Sequence, residues 1–190
     1  MESKLVLVTG GSRSGKSEFA EKYVLHFSPK CDYIATAEIL DDEMAERVRL
    51  HQIRRADGRW LNHEAPYHAE KVFAHLSDET DAVLFDCLTV YMANLMYGQE
   101  APQGSFTERC GAVFAEIDKL LLAARNSGKL VVFVTNEVGG GIVPDNKAAR
   151  EYSDLSGWVN QRVAAACDSV FYCVAGQAVD VRKLAYKFED

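Results

Sequence analysis

The sequence predicts an α/β protein in which helices cover both faces of a mainly parallel central sheet, a three-layer architecture. Two observations predict it. Short, nearly continuous apolar segments rich in β-branched residues alternate with longer amphipathic segments, and a glycine-rich loop separates the first apolar segment from the first amphipathic one. Apolar strands of this kind are typical of parallel sheets buried on both faces. Because no repeat, low-complexity tract or composition change divides the chain, we expect residues 1–190 to form one catalytic domain.

The elements follow in order from these patterns. The predicted strands are 5–9, 33–37, 82–86, 130–135 and 169–175, each dominated by apolar residues. The predicted helices are 16–27, 41–55, 106–126 and 151–166, and segment 88–97 is also apolar. In the first helix, Phe19, Tyr23 and Phe27 recur at intervals of four, which places them on one face. The segment 98–105 contains two glycines and a proline, which predicts an exposed connecting loop.

Composition excludes several classes of partner. The chain has 21 Lys and Arg residues against 28 Asp and Glu residues, a net charge of -7, which argues against binding to nucleic acid or to an anionic membrane. No apolar run reaches the roughly 18 residues of a membrane span, and the N-terminus does not resemble a secretory signal. Five cysteines without a C-x-x-C pair favour reduced thiols. We therefore expect a cytoplasmic protein.

The glycine-rich loop matches a phosphate-binding motif. The residues Gly10-Gly11-Ser12-Arg13-Ser14-Gly15-Lys16-Ser17 fit G-x-x-x-x-G-K-[ST] between a predicted strand and a predicted helix. Backbone N–H groups of such a loop, together with the positive end of the helix, surround phosphate oxygens. We expect all eight residues to contact nucleotide, with Lys16 as a catalytic cation and Ser17 as a Mg²⁺ ligand. The pattern predicts a P-loop NTPase-like fold.

A second metal ligand is predicted at the end of another strand. Asp86 follows four apolar residues, Ala82-Val83-Leu84-Phe85. A carboxylate at this position is typical of the metal side of a phosphate-loop site. We expect Asp86 to bind Mg²⁺ and nucleotide together with Ser17.

The predicted helix 41–55 carries a histidine among arginines. At about 100° per residue, His51 lies near Arg47, Arg54 and Arg55. Neighbouring arginines lower the pKa of an imidazole and so keep it neutral, and a neutral imidazole is a usable nucleophile toward a phosphate that the guanidinium groups hold. Periodicity alone also allows a solvated basic helix end, in which the histidine has no such role.

Taken together, these residues resemble the bifunctional adenosylcobinamide kinase / adenosylcobinamide-phosphate guanylyltransferase family of cobalamin (vitamin B12) biosynthesis. The resemblance covers nearly the whole chain. It rests on the phosphate loop; on Tyr33-Ile34-Ala35-Thr36-Ala37; on Asp41-Asp42-Glu43-Met44 with Arg47 and His51; on Trp60 and Glu64; on Asp86-Cys87-Leu88-Thr89; on Thr135-Asn136-Glu137-Val138-Gly139 and Gly141-Ile142-Val143-Pro144; and on Arg150, Asp154, Gly157 and Asn160-Gln161-Arg162.

The resemblance implies two reactions. In the first, the γ-phosphoryl group of GTP or ATP passes to the aminopropanol hydroxyl of adenosylcobinamide. In the second, His51 attacks the α-phosphorus of GTP, holds GMP as a phosphoramidate and passes it to the cobinamide phosphate, which gives adenosylcobinamide-GDP. The resemblance also implies a homotrimer. The further nucleotide-binding residues that it implies are Thr36, Ala37, Glu38, Arg54, Arg55 and Glu64.

Some alternatives stay open at this point. Asn62 stands where many relatives have threonine, and the general base of the kinase step is Glu64, Asp86 or Glu137. A small-molecule kinase without guanylyl transfer is the second hypothesis, in which His51 only binds substrate. A nucleotide-dependent regulatory protein is a third, and it predicts slow hydrolysis and partner-dependent association.

Overall fold

A seven-stranded sheet is the centre of the computed structural model, which describes residues 3–38 and 58–186. The strands are β1 (Lys4–Gly10), β2 (Cys31–Ala35), β3 (Trp60–Glu64), β4 (Ala82–Asp86), β5 (Leu130–Val134), β6 (Ser169–Val174) and β7 (Gln177–Asp180). Their order across the sheet is β3-β2-β4-β5-β1-β6-β7. All neighbours are parallel except β6 and β7, which pair antiparallel. The phosphate loop therefore follows β1, a strand near the middle of the sheet.

Helices cover both faces. They are α1 (Lys16–Phe27), α2 (Leu88–Tyr97), α3 (Phe106–Asn126), α4 (Lys147–Ala166) and the short α5 (Val181–Leu184), with a 3-10 helix at Ala69–Ala74. Helix α1 packs on one face of the sheet, where Val24 joins a buried cluster that includes Val8 and Leu84. Helices α2, α3 and α4 pack on the other face around Phe85 and Phe133. The three-layer α/β fold predicted from the sequence is confirmed.

The helix starts differ in how they are capped. The Ser105 hydroxyl accepts from the Glu108 N–H at 3.4 Å, and the Glu108 carboxylate accepts from the Ser105 N–H at 2.8 Å, so that α3 begins with a capping box. Helix α4 is capped by Asn146, whose side chain accepts from the Ala149 N–H at 2.8 Å. The N-cap residue of α1 is Gly15, which provides no side-chain cap. The first N–H groups of α1 therefore have no side chain of the N-cap residue to bind them.

Several boundaries differ from the sequence prediction. The strand predicted at 33–37 is Cys31–Ala35, because pairing with β3 and β4 ends at Ala35 and the Thr36 hydroxyl bonds to the Cys87 backbone. Helix α4 begins at Lys147 rather than 151, since Asn146 provides the cap. Strands β3 and β7 were not predicted. Both lie at sheet edges, where exposed residues replace the continuous apolar run.

The predicted helix 41–55 lies outside the described residues, and His51, Arg47, Arg54 and Arg55 lie outside them with it. Within the described ranges, no helix is both long enough and apolar enough to cross a bilayer. All five cysteines are free thiols, as the sequence predicts.

Candidate nucleotide-binding site

The loop between β1 and α1 requires glycine at two positions. Gly10 has φ 154°, and a Cβ atom there would lie 2.4 Å from the carbonyl oxygen of Cys173 and 2.7 Å from Oγ of Ser14. Gly15 has φ 92°, and its Cβ would lie 3.0 Å from Cα of Gly176. These backbone conformations and contacts exclude larger residues. The loop is thus enclosed by the turn that joins β6 to β7.

Hydrogen bonds hold the loop in a curled shape. The Ser14 N–H donates to the Gly11 carbonyl at 3.3 Å, and the Gly176 N–H donates to the Ser14 carbonyl at 3.0 Å. The Lys16 ammonium donates to the Gly11 carbonyl at 3.1 Å, which places its charge over the loop. The Ser14 hydroxyl oxygen is buried and has no hydrogen-bond partner among the described residues. A curled loop, a cation and an uncapped helix start are together an anion site.

The carboxyl ends of the central strands meet beside this loop. Ala35 of β2 pairs with Asp86 of β4, Asp86 pairs with Val134 of β5, and Val134 pairs with Val8 of β1. Ligands of open parallel sheets bind at this edge. Residues that directly follow these strands are therefore the ones positioned to contact a nucleotide.

Asp86 and Ser17 provide hard oxygen donors on the same side of the sheet as α1. Asp86 is half-buried and accepts from the Tyr33 hydroxyl at 3.1 Å. Ser17 is a half-buried residue in the first turn of α1, which packs across β4 and β5. A carboxylate and a hydroxyl suit Mg²⁺, which prefers oxygen ligands. The donor set fits the predicted metal, and their joint coordination of it stays a prediction.

Cys87, next to Asp86, carries a thiol whose pKa is raised to about 11, chiefly by burial. The Asp86 carboxylate contributes to this rise, and the Lys16 ammonium acts in the opposite direction. The thiol is therefore protonated at neutral pH. Both charged side chains of the predicted phosphate and metal site act on this one sulfur.

Thr36, Glu38 and Glu64 are the other described residues with polar side chains for which the family resemblance implies nucleotide contact. The Thr36 hydroxyl is hydrogen-bonded to the Cys87 backbone, which is a structural contact within the protein. The Glu38 carboxylate accepts from the Tyr67 hydroxyl at 3.1 Å and from the Gln99 side chain at 3.0 Å. Glu64 is exposed at the end of β3, in register with Ala35. All three lie at the carboxyl edge of the sheet, as does half-buried Ala37.

A polar network behind β5 was not assigned a role from the sequence. The Thr135 hydroxyl donates to the Asn160 side chain at 2.8 Å, and Asn160 donates to the Asn136 carbonyl at 3.1 Å. The Thr89 hydroxyl accepts from the Asn136 N–H at 2.7 Å. The backbone carbonyl of Thr89 accepts from the Tyr152 hydroxyl at 2.7 Å. Side chains from α2, from α4 and from the segment after β5 could not be grouped from spacing alone, because the residues are distant in the chain. The sequence signal that could have indicated this network is the presence of polar residues inside otherwise apolar segments.

This network positions the segment that follows β5. The Asn136 side-chain oxygen is buried and has no hydrogen-bond partner in the described part of the chain. The next residue, Glu137, donates its N–H to the Gly10 carbonyl at 3.1 Å, and its carboxylate accepts from the Gly139 N–H at 2.9 Å. Glu137 therefore follows β5 and Asp86 ends β4, both of which are central strands, whereas Glu64 ends edge strand β3. The identity of the kinase base among these three stays a prediction.

A further group of potential metal ligands belongs to the 3-10 helix region and α3. One ligand atom each from His68, Glu70 and Glu116 lies within 4.8 Å of the others. The side chains of Glu70 and Glu116 retain about a fifth of their exposure, at 18% and 24%, and His68 also contacts Glu100 at 3.0 Å. This group is separate from the loop residues, and the predicted magnesium pair does not include it.

The architecture is shared with a solved structure of low sequence identity. The KaiC-like protein PH0186 of Pyrococcus horikoshii is 11% identical, with a TM-score of 0.50 over 90% of this chain and 71% of that chain. At this identity the likeness concerns the fold alone.

Sequence comparison is more specific. The family model described as cobinamide kinase / cobinamide phosphate guanyltransferase matches residues 6–181. The bifunctional adenosylcobalamin biosynthesis protein CobU of Salmonella typhimurium is 41% identical over 185 residues, 94% of this chain and 99% of that protein. The protein of the same name from Escherichia coli is 38% identical over 182 residues, again 94% of this chain and 99% of the relative. With the phosphate loop in place between β1 and α1, the chain belongs to the cobinamide kinase / cobinamide phosphate guanyltransferase family.

Proposed function

We propose that this protein is an adenosylcobinamide kinase and adenosylcobinamide-phosphate guanylyltransferase that acts in cobalamin biosynthesis. It phosphorylates the aminopropanol hydroxyl of adenosylcobinamide with a nucleoside triphosphate and then transfers GMP from GTP to the product. Membership of the family supports the pair of reactions. The observation that carries the proposal is the curled phosphate loop at the start of α1. The Lys16 ammonium donates to the Gly11 carbonyl of this loop, and the first N–H groups of α1 have no side-chain cap.

The kinase step depends on placement and charge. Loop N–H groups and Lys16 bind the β- and γ-phosphates, so that the attacking hydroxyl meets a fixed γ-phosphorus. The new bond joins that phosphorus to the hydroxyl oxygen, the bond to the bridging oxygen of the nucleoside diphosphate breaks, and the hydroxyl proton passes to the general base, which is Glu64, Asp86 or Glu137. Ser17 and Asp86 are the residues that would hold Mg²⁺, which when bound neutralises phosphate charge.

The guanylyl transfer depends on His51. Its neutral imidazole nitrogen forms a bond to the α-phosphorus of GTP, and the bond to the β-phosphate oxygen breaks, so that pyrophosphate leaves. A phosphate oxygen of adenosylcobinamide phosphate then attacks the same phosphorus, and the P–N bond breaks to regenerate the histidine. Two easier displacements replace one difficult displacement. Arg54 and Arg55 bind the phosphates in this scheme.

Covalent labelling tests the second reaction. The protein is incubated with α-³²P-GTP and Mg²⁺, then denatured and separated by electrophoresis. We expect a label that is labile in acid and stable in alkali, absent from His51→Ala and retained by the control His75→Ala, which changes an exposed histidine. An unlabelled wild-type protein, or a labelled His51→Ala, would contradict the proposal. Transfer of γ-phosphate without any covalent GMP would favour the simple kinase instead.

Three finer features belong to the same proposal. The protein forms a homotrimer, which sedimentation velocity measures directly, and it acts in the cytoplasm. Either GTP or ATP serves the kinase step, and competition between the two in the phosphorylation assay measures the preference.

A further inference from the structure

A cleft of about 410 Å³ opens between the segment that follows β5 and helix α4. Six of its lining residues belong to 138–144 and six belong to α4. We call it the α4 cleft. Its volume is within the range of small-molecule sites. None of the residues assigned above to the two proposed reactions lines it.

The α4 cleft presents apolar side chains to solvent. Ile142 is 97% exposed, Val143 76% and Trp158 47%, although large apolar side chains in a folded chain are usually more covered. Gly157 adds no side chain to this wall, and a Cβ atom there would meet nothing within 4 Å. Part of the cleft wall is therefore exposed apolar surface.

Polar groups stand among the apolar ones. Arg150, Asp154 and Gln161 line the same cleft. Arg150 donates to the carbonyl oxygens of Pro144 and Asp145 at 2.9 and 2.6 Å, which ties the rim to α4. The remaining polar groups have the donors and acceptors that carboxamides need.

The cleft begins one residue after a backbone contact with the phosphate loop. Glu137 bonds to Gly10 through its N–H at 3.1 Å, and Val138 and Gly139 are the next residues and the first of the lining. Two residue steps span at most about 7 Å, so the near end of the cleft lies close to the loop. A molecule seated there can extend an arm to the γ-phosphate.

We propose that the α4 cleft binds the corrin ring of adenosylcobinamide while its aminopropanol arm reaches the phosphate loop. This inference rests on the proposed function. The ring has apolar faces and carries carboxamides around its edge, which matches an apolar wall set with polar groups. The whole corrinoid is larger than the cleft, so the cleft holds one edge of the ring and leaves the rest outside.

Direct binding tests the site without requiring catalysis. Equilibrium dialysis with adenosylcobinamide, in the absence of nucleotide, measures the Kd by the absorbance of the corrinoid. One variant, Ile142→Ser/Val143→Ser, removes the apolar contacts, and its control is Leu122→Ser, which changes an exposed leucine of α3. A second variant, Gly157→Leu, fills the cleft, and its control is Gly111→Leu, where an added Cβ also meets nothing within 4 Å.

We expect both cleft variants to raise the Kd for adenosylcobinamide at least about tenfold, because they remove or obstruct apolar contact area. Both controls keep the wild-type Kd. Covalent labelling by α-³²P-GTP stays at the wild-type level in all four variants, which shows that they are folded. Loss of the label from wild-type protein would count against the proposed function and leave the Kd comparison valid.

Two results would overturn the inference. One is a wild-type Kd in both cleft variants. The other is a change in sedimentation of the cleft variants to smaller assemblies, with binding lost only in proportion to dissociation. That second result would make the cleft a contact between copies of the chain.

Discussion

The hydroxyl of Thr36 lies 2.9 Å from both the amide nitrogen and the carbonyl oxygen of Cys87, accepting from the first and donating to the second. The carbonyl oxygen of Thr36 in turn accepts from the buried Asn94 side chain at 2.8 Å. One threonine therefore joins the end of β2 to the residue that follows Asp86. The residue next to a predicted metal ligand is therefore held by a side chain that directly follows another strand.

Replacing Thr36 by valine removes both bonds and keeps the volume of the side chain. We expect Thr36→Val to lower the free energy of unfolding by about 1–3 kcal/mol, because two backbone groups of Cys87 lose their partner. Kinase kcat falls as well, since Asp86 is less well placed. Urea denaturation and a phosphorylation assay measure the two effects. Thr36→Ser keeps the hydroxyl and is the control; equal losses in the serine and valine variants would contradict the explanation.

The phosphate loop offers a matched pair of glycine substitutions. Gly10→Ala places a methyl group 2.4 Å from the Cys173 carbonyl, whereas Gly11→Ala meets nothing within 4 Å. We expect Gly10→Ala to weaken GTP binding at least about tenfold and to cost about 1–3 kcal/mol in the free energy of unfolding, through steric overlap and backbone strain.

The control Gly11→Ala stays within about twofold of the wild type in GTP affinity, and titration calorimetry measures both variants. Equal GTP affinities of the two alanine variants would show that the loop moves freely away from Cys173.

The pH dependence of stability has an identified contributor in Asp168. Burial by itself raises the pKa of this carboxyl, but the Leu5 N–H at 2.8 Å and the Arg125 guanidinium at 2.9 Å outweigh it, so its pKa lies below the usual range. A carboxyl with a lowered pKa stabilises the fold above its unfolded pKa of about 3.9 and loses that contribution as the pH falls through its folded pKa.

Asp168→Asn tests this contribution, because it removes the charge and retains an acceptor for Leu5. We expect the variant to be less stable by at most about 1 kcal/mol at pH 7, since both charged groups are partly exposed and screened. The difference shrinks below about pH 4. Urea denaturation at a series of pH values measures it, and a difference independent of pH would contradict the assignment.

The central strands could be predicted because they are apolar on both faces. The helices that pack on the sheet could be predicted because their apolar residues recur with the helical period. Helix α1, helix α3 and strand β4 begin and end where the sequence predicts. Edge strands β3 and β7 could not, since an edge strand is exposed and its residues lack a continuous apolar run. The pairing of β7 with β6 is tertiary information that no local pattern contains.

The phosphate loop could be predicted as a site because its residues are consecutive and each has a local reason. The network of Thr89, Thr135, Tyr152 and Asn160 could not be predicted, because its members belong to α2, to the segment after β5 and to α4, which come together only on folding. The predicted contribution of His51 lies outside the described residues and stays a prediction.

The neighbours of β1 have a consequence for folding. Val6 pairs with Val132 on one side and with Ser169 on the other, and the turn after β6 supports the phosphate loop through Gly176. The loop residues are consecutive, whereas the surfaces that shape the loop belong to residues distant in sequence. Such contacts require a long segment of chain to close before they form, so we expect the loop to acquire its binding shape late in folding.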